Sequence, residues 1–223
     1  MHDTDYWINQ YKEKGALWIH DGNPKRPHAK LTSNRHSNGF FNSRLVIPDE
    51  VLLRDSVCYL TYLFSQQDVD IKKIDGIVGP QTGATKLAEF ISDQINVYNR
   101  DPCFWASPAK HSKGVTKSMV FDDKDLDLFQ EHHILLCEDV ITTDESVDLT
   151  ATAVTNLGGI VLPFVVVLVN RSGLKEMSGR KIIALIDHPM PVWTLEECLL
   201  CKQGSEAIRP KGIENWSRLN AIY

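Results

Sequence analysis

The apolar run Ile160–Val169 constrains the fold of this chain more than any other feature, because it is long, continuous and rich in β-branched residues. A strand with one solvent-exposed face alternates apolar and polar residues, whereas a run without alternation predicts a strand buried on both faces. Strands of that kind occur in parallel sheets that helices cover on each side. Further strands are predicted at Ile74–Val78, Cys103–Ala106, Lys117–Phe121, His133–Cys137 and Lys181–Ile186.

Helical patterns lie between these strands, so the sequence predicts an α/β fold with a parallel sheet, flanking helices and right-handed crossovers. In such sheets, ligands bind beyond the carboxyl ends of the strands. The turns that begin at Gly79, Glu138 and Asn170 all lie at that end, and we expect the functional residues there. The predicted helices are Pro48–Phe64, Ala84–Asn96 and Glu145–Leu157.

The amino-terminal region lacks this alternation of strands and helices. Its patterns predict a short helix at Thr4–Lys14 and strands at Ala29–Thr32 and Gly39–Val46. We therefore divide the chain into a small amino-terminal region that packs with the core, the α/β core itself, and a carboxyl-terminal extension. These parts are residues 1–47, 48–190 and 191–223.

Composition excludes several classes of function. The net charge of -5 gives no general attraction to nucleic acid, and no apolar run approaches the ~20 residues that a membrane span needs. The polar amino terminus has no signal-peptide core. The five cysteines are odd in number and scattered. Together these features predict a cytoplasmic protein with reduced thiols that binds neither nucleic acid nor membranes.

The segment Ile134–Val154 carries the strongest chemical signal. An apolar strand leads into the adjacent carboxylates Glu138 and Asp139, and then into a hydroxyl-rich turn that opens a helix. A helix start presents unpaired N–H groups and suits a phosphate, and the acidic pair suits the two hydroxyls of a ribose or Mg²⁺, directly or through water. An alternative is a solvated helix start in which Asp144 caps the helix.

This segment resembles the phosphoribosyl-pyrophosphate signature of type I phosphoribosyltransferases, which runs from an apolar strand through two acids to a Thr-Thr turn. The family usually has glycine where this chain has Asp144, and often again at Glu145. The resemblance implies a ligand-binding turn made of Val140, Ile141, Thr142, Thr143, Asp144, Glu145 and Ser146.

The segment Leu31–Leu45 resembles the amino-terminal segment of orotate phosphoribosyltransferases, which forms a hood over the base. The resemblance implies that Phe40 and Phe41 contact the base, although both could equally be core residues on opposite faces of a strand. The family often has a lysine contact to the base carboxylate where this chain has Thr32. The matching residues are Ser33, Arg35, Ser37, Phe40, Phe41 and Asn42, while Asn34 replaces a family glycine.

Three further segments match the family in order along the chain. The turn after the first core strand resembles its pyrophosphate loop, where small residues let backbone amides approach the diphosphate. The polar segment Ser107–Gly114 lies where the family has a flexible basic loop that covers the site of a dimer partner. Arg171, after the longest strand, is the implied donor to the base. The pyrophosphate loop comprises Gly79, Pro80, Gln81, Thr82 and Gly83.

The resemblance implies transfer of a 5-phosphoribosyl group from phosphoribosyl pyrophosphate to orotate or a related base, with Mg²⁺ as cofactor and a homodimer as the working unit. Two alternatives remain open at this point. One is a salvage enzyme that uses another base, and the other is a regulator that binds phosphoribosyl pyrophosphate without catalysis. The implied catalytic residues are Glu138, Asp139, Lys110 and His111, with the acidic pair also holding the metal.

The carboxyl-terminal extension contains Cys198 and Cys201, whose spacing is typical of half a zinc site. A closed zinc site needs four ligands, and the sequence shows no second pair of cysteines. His111 and the pair His132-His133 show no metal-binding spacing either. The sequence alone therefore favours structural thiols at both positions.

Overall fold

A six-stranded sheet forms the centre of the protein in the computed structural model, which describes residues 3–31, 33–99, 101–210 and 212–223. Two small sheets and one hairpin surround it. The strands are β1 (Leu17–Ile19), β2 (His28–Lys30), β3 (His36–Ser37), β4 (Gly39–Phe41), β5 (Gly76–Val78), β6 (Phe104–Ala106), β7 (Ala109–Lys113), β8 (Thr116–Val120), β9 (His133–Ile141), β10 (Ile160–Asn170), β11 (Glu176–Met177), β12 (Arg180–Asp187), β13 (Val192–Trp193) and β14 (Ala207–Ile208).

The central sheet has the spatial order β11-β12-β10-β9-β5-β6, and all its pairings are parallel except that of the short edge strand β11. Helices lie on both of its faces, which confirms the predicted α/β fold. The helices are α1 (Thr4–Glu13), α2 (Glu50–Ser65), α3 (Thr85–Asn96), α4 (Glu145–Asn156), α5 (Leu199–Lys202) and α6 (Ile213–Asn220).

Two apolar cores lie on opposite faces of the sheet, and neighbouring residues of one strand alternate between them. Leu135 and Val166 face the larger core, which α1, α2 and α3 cover. Leu136 and Val167 face the smaller core, to which α4 contributes. Strands buried in this way read as continuous apolar runs, which is why the sequence revealed them.

Strand β10 departs from the prediction in its first half. The pairing register between β10 and β9 shifts between Val161 and Val165, around Pro163, which has no N–H for a ladder hydrogen bond. Residues before Val165 are partly or fully exposed, and only those from Val165 onward are buried on both faces. The prediction of full burial from Ile160 was therefore wrong for the first five residues of the strand.

Two other local predictions need correction. Ser107–Gly114 is not an irregular loop, because β7 pairs with β8 in an antiparallel hairpin whose register joins Ala109 to Val120. The predicted strand Gly39–Val46 ends at Phe41, and residues 43–45 form a 3-10 turn instead. The first difference matters because it fixes the position of Lys110.

The amino-terminal region and the carboxyl-terminal extension share one sheet, with the order β13-β3-β2-β14. Strand β13 pairs antiparallel with β3, and β14 pairs parallel with β2. Helix α6 packs beside them, where the Trp18 indole Nε1 donates to the Leu219 carbonyl at 2.7 Å. We call the region formed by β1–β4 the hood. The boundaries at 47 and 190 stay predictions.

Within the described residues, no helix combines the length and the apolar character that crossing a bilayer requires.

The central strand β5 offers a test of this packing. Ile77 is fully buried there, so Ile77→Ala should lower the free energy of unfolding by about 2–5 kcal/mol through lost burial and a residual cavity. Ile160→Ala, at a position that is 47% exposed on β10, is the matched control and should cost much less. Urea unfolding followed by circular dichroism measures both. Equal losses in the two variants would contradict this account of the core.

Candidate active site

Strand β9 extends well past its neighbour β5, and this difference in length exposes its carboxyl end. β5 pairs with β9 only as far as Val78, opposite Leu136, whereas β10 stays paired with β9 up to Ile141. Glu138 and Asp139 therefore lie beyond the end of β5 but are still held by β10. The turn 79–83 occupies the space that β5 leaves.

Two glycines allow that turn to approach β9. A Cβ atom on Gly83 would lie 2.5 Å from Asp139 Oδ2, and one on Gly79 would lie 2.6 Å from Cys137 Sγ. A Cβ on Gly79 would also lie 2.7 Å from the Ala84 carbonyl oxygen, so glycine is required there, whereas a side chain at position 83 would displace the Asp139 carboxylate. The pyrophosphate loop predicted from the sequence thus packs directly against the acidic pair.

The end of β6 supports the turn 79–83 from the other side. Ser107 Oγ donates to the Gly79 carbonyl at 2.7 Å, and Gln81 contributes both its backbone N–H, to the Pro108 carbonyl, and its side-chain amide, to the Ser107 carbonyl. The peptide between Gln81 and Thr82 is cis. Gln81 and Thr82 are exposed to solvent, while Pro80 is buried. Sequence reasoning missed Ser107, because its role depends on pairing between β5 and β6.

The two acids differ in environment. Glu138 is only 6% exposed, and burial, with a smaller contribution from the neighbouring Asp139 charge, raises its pKa to about 8. A hydrogen bond with Ser146, from the start of α4, opposes this shift. Asp139 is half-buried, and its Oδ1 accepts the Val140 N–H at 2.9 Å. At neutral pH the pair therefore presents one protonated and one more accessible carboxyl group.

The turn after the acids is open to solvent, as a phosphate site must be. Thr142, Thr143, Asp144 and Glu145 are exposed, whereas Ile141 is buried in the smaller core and Val140 packs on the larger one. Val140 and Ile141 therefore offer only their main chain to a ligand. The Asp148 N–H bonds to the Asp144 carbonyl, so the amides of residues 145–147 precede the helical hydrogen-bond ladder.

Asp144 does not cap helix α4. It stands at the cap position with φ -76°, and its side chain makes no cap hydrogen bond. The alternative interpretation, in which Asp144 serves only as a helix cap, is therefore not supported. Because the backbone is not left-handed there, a family glycine can be replaced without conformational strain.

Glu145 is neutralised by the hairpin. Lys110 Nζ on β7 and Lys117 Nζ on β8 lie 2.6 Å and 2.5 Å from its carboxylate oxygens. These two hydrogen bonds lower the pKa of Glu145 to about 2. The acid at the predicted phosphate turn is thus turned toward two cations of its own chain. His111 is exposed on the same hairpin, and Lys117 is a residue that sequence reasoning missed.

Arg171 lies beside this turn, at the end of β10. Its backbone N–H donates to the Ile141 carbonyl at 3.0 Å, and its Nη2 donates to Ser37 Oγ at 2.7 Å. The residue is 4% exposed, and its Nε atom has no hydrogen-bond partner among the described residues. Burial lowers the pKa of Arg171 to about 10, with no carboxylate from the described part of the chain to offset it. The described residues therefore leave one donor of this buried cation without a partner.

The hood meets the core at the Arg171 turn. The Met190 N–H donates to the Arg171 carbonyl at 3.0 Å, and a Cβ on Gly39 would lie 2.7 Å from Met190 Sδ. Strand β4 therefore packs closely over this turn, while Ser37 contacts Arg171 itself. Sequence reasoning placed Ser37 in a motif without giving it a role.

Phe40 and Phe41 are packed against protein side chains. Phe41 is buried and stacks on Tyr11, with ring centroids 5.5 Å apart, and Phe40 contacts Trp216 edge-on at 5.7 Å. This arrangement matches the alternative in which the two rings are core residues on opposite faces of a strand. Contact between these rings and a base stays a prediction, and their packing speaks against it. Thr32, the position of the family lysine, lies outside the described residues.

Comparison with solved structures identifies the class of fold. Orotate phosphoribosyltransferase from Aeropyrum pernix superposes with a TM-score of 0.57 at 18% identity, covering 80% of this chain and 92% of that chain. Adenine phosphoribosyltransferase from Thermoanaerobacter pseudethanolicus gives a TM-score of 0.51 at 17% identity, covering 66% and 87%. The chain therefore has the type I phosphoribosyltransferase fold.

Sequence comparison then narrows the relationship. Orotate phosphoribosyltransferase from Campylobacter jejuni subsp. doylei is 28% identical over 213 residues, which cover 90% of this chain and 95% of that protein. No model of a protein family matches the chain. The chain is thus related to orotate phosphoribosyltransferases along most of its length, and the resemblance predicted from the motifs is confirmed.

The raised pKa of Glu138 predicts a dependence of stability on pH. Between about pH 4.5 and about pH 8 the folded protein keeps a proton that the unfolded chain releases, so this group makes the free energy of unfolding fall as pH rises. The Glu138→Gln variant has no ionisable group at this position. Its free energy of unfolding, relative to that of the wild type, should therefore increase from about pH 4.5 to about pH 8.

Urea unfolding across this pH range, without added magnesium, measures the difference between the two proteins. Asp139→Asn is the matched comparison, because it removes the neighbouring charge and should move the same pH dependence toward lower pH. A constant difference between wild type and Glu138→Gln at every pH would contradict a raised pKa.

Proposed function

We propose that this protein transfers the 5-phosphoribosyl group from phosphoribosyl pyrophosphate to orotate, with release of pyrophosphate. One observation carries the proposal: three turns of the phosphoribosyltransferase fold meet at one edge of the sheet. Gly83 touches Asp139, and the Arg171 N–H bonds to the Ile141 carbonyl. A phosphate site, an acidic pair and a buried cation are thereby contiguous, and the curated relatives are named for this reaction.

In the proposed complex the turn 142–146 binds the 5′-phosphate. The amides that precede the helical ladder and the hydroxyls of Thr142, Thr143 and Ser146 are the donors, and the N-terminal end of the α4 dipole favours an anion. In the free protein Lys110 and Lys117 neutralise Glu145, whose carboxylate competes with the ligand for these two lysines. Asp144 is exposed and can turn its carboxylate into solvent.

The acidic pair holds the ribose hydroxyls. Glu138, neutral at pH 7 because of its raised pKa, can donate as well as accept, and Asp139 accepts. Their oxygen atoms also suit Mg²⁺, which favours carboxylate ligands and keeps several waters. When bound, that ion would offset negative charge on the diphosphate. The protein itself contributes mainly positioning and electrostatic stabilisation of an oxocarbenium-like transition state.

The diphosphate lies against the turn 79–83, where Gln81 and Thr82 are exposed to solvent. Lys110 is the nearest predicted source of positive charge, together with Lys117 from the paired strand. Both lysines can exchange the Glu145 carboxylate for phosphate oxygens without a change in the hairpin, since all three side chains are partly exposed.

Arg171 favours a base that carries acceptor oxygens. Its guanidinium is buried, uses one nitrogen for Ser37, and keeps an unpaired donor. A carboxylate or carbonyl group of the base would satisfy that donor and stabilise the buried charge. Orotate has both groups, whereas adenine has neither. A salvage enzyme for another oxo-substituted base is the close alternative.

A direct assay of pyrophosphate release with orotate, uracil, hypoxanthine and adenine tests the proposal. We expect turnover with orotate and little with adenine. Asp139→Asn should lower turnover by about 100-fold, because it removes a charge that contacts the reacting sugar. Asp55→Asn, on the exposed face of α2 away from the site, is the control and should leave the rate unchanged. Absence of release with all four bases would refute the proposed reaction.

A regulator that binds phosphoribosyl pyrophosphate without catalysis is a second candidate. The observation that favours it is the engagement of Lys110 and Lys117 with Glu145, which occupies the basic groups a diphosphate would need. Calorimetric binding that persists while every base fails to release pyrophosphate would identify this function.

Glu145→Gln tests how strongly this contact competes with the ligand. Removing the carboxylate frees two lysines, so affinity for phosphoribosyl pyrophosphate should rise by roughly tenfold at low ionic strength and by less in high salt. Isothermal titration calorimetry measures the change. Glu214→Gln on α6 is the control for loss of an exposed acid. An unchanged affinity would mean that the hairpin lysines do not reach the ligand.

The homodimer stays part of the proposal. In the related enzymes the basic loop covers a partner's site, whereas here the corresponding hairpin contacts α4 of its own chain through Glu145. Coverage within one chain is therefore geometrically available, and the second subunit is not needed to place Lys110.

A further inference from the structure

Four metal-ligating side chains meet far from the acidic pair, between the hood and the carboxyl-terminal extension. They are His28 on β2, His36 on β3, and Cys198 and Cys201 around α5. One ligand atom from each side chain lies within 4.8 Å of the other three. Sequence separations of about 170 residues between the histidines and the cysteines explain why the sequence did not reveal the group.

The backbone brings the histidine pair and the cysteine pair to face each other. In the β2–β3 register Lys30 lies opposite His36, and His28 is two residues before Lys30, so both imidazoles project from the same face of the pair. Cys198 and Cys201 flank a single helical turn, and the Cys201 N–H approaches Cys198 Sγ at 3.5 Å. A Cys-x-x-Cys turn facing two histidines is the arrangement that zinc sites of the Cys₂His₂ type use.

The distances fit a shared ion better than direct hydrogen bonds. His28 Nε2 lies 3.1 Å from His36 Nδ1, 3.4 Å from Cys198 Sγ and 3.5 Å from Cys201 Sγ. Cys201 Sγ lies 3.2 Å from His36 Nδ1. With Zn–S near 2.3 Å and Zn–N near 2.0–2.1 Å, a tetrahedron separates sulfur from nitrogen by about 3.5 Å and the two nitrogens by about 3.3 Å.

A hydrogen-bond relay outside the cluster orients His28. Ser205 Oγ donates to the Arg26 carbonyl at 2.6 Å, so its lone pairs are left to accept the His28 Nδ1–H at 2.9 Å. In this tautomer the His28 Nε2 atom carries no proton and faces the sulfur atoms of Cys198 and Cys201. Metal-bound histidines are oriented by such partners on the second ring nitrogen.

Burial excludes an ordinary surface explanation. His28 and Cys198 are fully buried, His36 is 2% exposed, and Cys201 is partly buried. The four residues of the cluster include no carboxylate that could pair with either imidazole. Four soft or borderline ligands would fill all the coordination positions of one tetrahedral ion and leave none for water. Such a closed site is typical of a structural rather than a catalytic metal.

We propose that His28, His36, Cys198 and Cys201 bind one structural zinc ion that fastens the carboxyl-terminal extension to the hood. The ion would join the segment around α5, which lies in the chain between the outer strands β13 and β14, to the central strands β2 and β3 of that sheet. The ion would also be connected to the candidate active site through the chain, because His36 directly precedes Ser37, whose hydroxyl accepts the Arg171 hydrogen bond. The zinc site stands whether or not the proposed reaction is correct.

Metal analysis of the full-length chain, purified under reducing conditions from zinc-containing medium, tests the proposal directly. We expect about one zinc ion per chain. Cobalt(II) added to metal-depleted protein should give the intense ligand-field bands of a tetrahedral site together with thiolate-to-cobalt charge transfer. Chelation of the metal should lower the melting temperature, since the ion binds the folded chain and not the unfolded one.

Variants separate these ligands from the other thiols. Cys198→Ser and Cys201→Ser should lose zinc and the charge-transfer band, whereas Cys58→Ser, at an exposed cysteine on α2, should keep both. Cys201→His replaces the sulfur ligand with a nitrogen ligand, and it should retain metal even if the serine variants fail to fold. Wild-type protein that holds no stoichiometric metal and gives no tetrahedral cobalt spectrum would overturn the proposal. A Cys198–Cys201 disulfide in the reduced preparation, or iron in place of zinc, would overturn it as well.

Discussion

The unequal lengths of two paired strands determine where this protein can do chemistry. β9 remains hydrogen-bonded to β10 for several residues after β5 has ended, which holds Glu138 and Asp139 rigidly beside an open space. A strand end supported on one side only is stiff enough to position carboxylates and open enough to admit a ligand. The turn 79–83 and Arg171 take their positions from the same edge, since each follows a strand of this sheet.

Charge balance at this edge is reached by different means for each acid. Glu138 is neutral because it is buried, and Glu145 stays ionised because two lysines surround it. The arrangement reconciles an acidic sequence at the turn with the binding of an anion. In the proposed complex the ligand would displace Glu145 from the two lysines, and exposed ion pairs of this kind are individually weak.

Local sequence patterns were sufficient for the central sheet and the order of its ligand turns. Apolar runs predicted β9 and β10, and the adjacent acids predicted a polar edge, because those features depend on neighbours in the chain. The strand predicted at Lys117–Phe121 corresponds to β8, but β7 and its pairing with β8 were missed, since polar residues on an exposed hairpin carry no burial signal. Phe40 and Phe41 show the opposite difficulty: an aromatic pair has the same sequence pattern in a core and over a base.

The cluster of His28, His36, Cys198 and Cys201 was beyond local reasoning for another reason. The cysteine half has the spacing of half a zinc site, but the histidine half has no such signal, and only the tertiary contact of β2 and β3 with the segment around α5 brings them together. Ser37 gained its role in the same way, because its partner Arg171 is 134 residues away in sequence.

The sheet shared by the hood and the carboxyl-terminal extension has a consequence for cotranslational folding. The hood strands β2 and β3 precede the whole central sheet in the chain, whereas their outer neighbours β13 and β14 follow it. Until those residues leave the exit tunnel, the outer edges of β2 and β3 stay unpaired while the central sheet forms beside them. The sheet shared by the hood and the carboxyl-terminal extension can therefore be completed only after the central sheet has been translated.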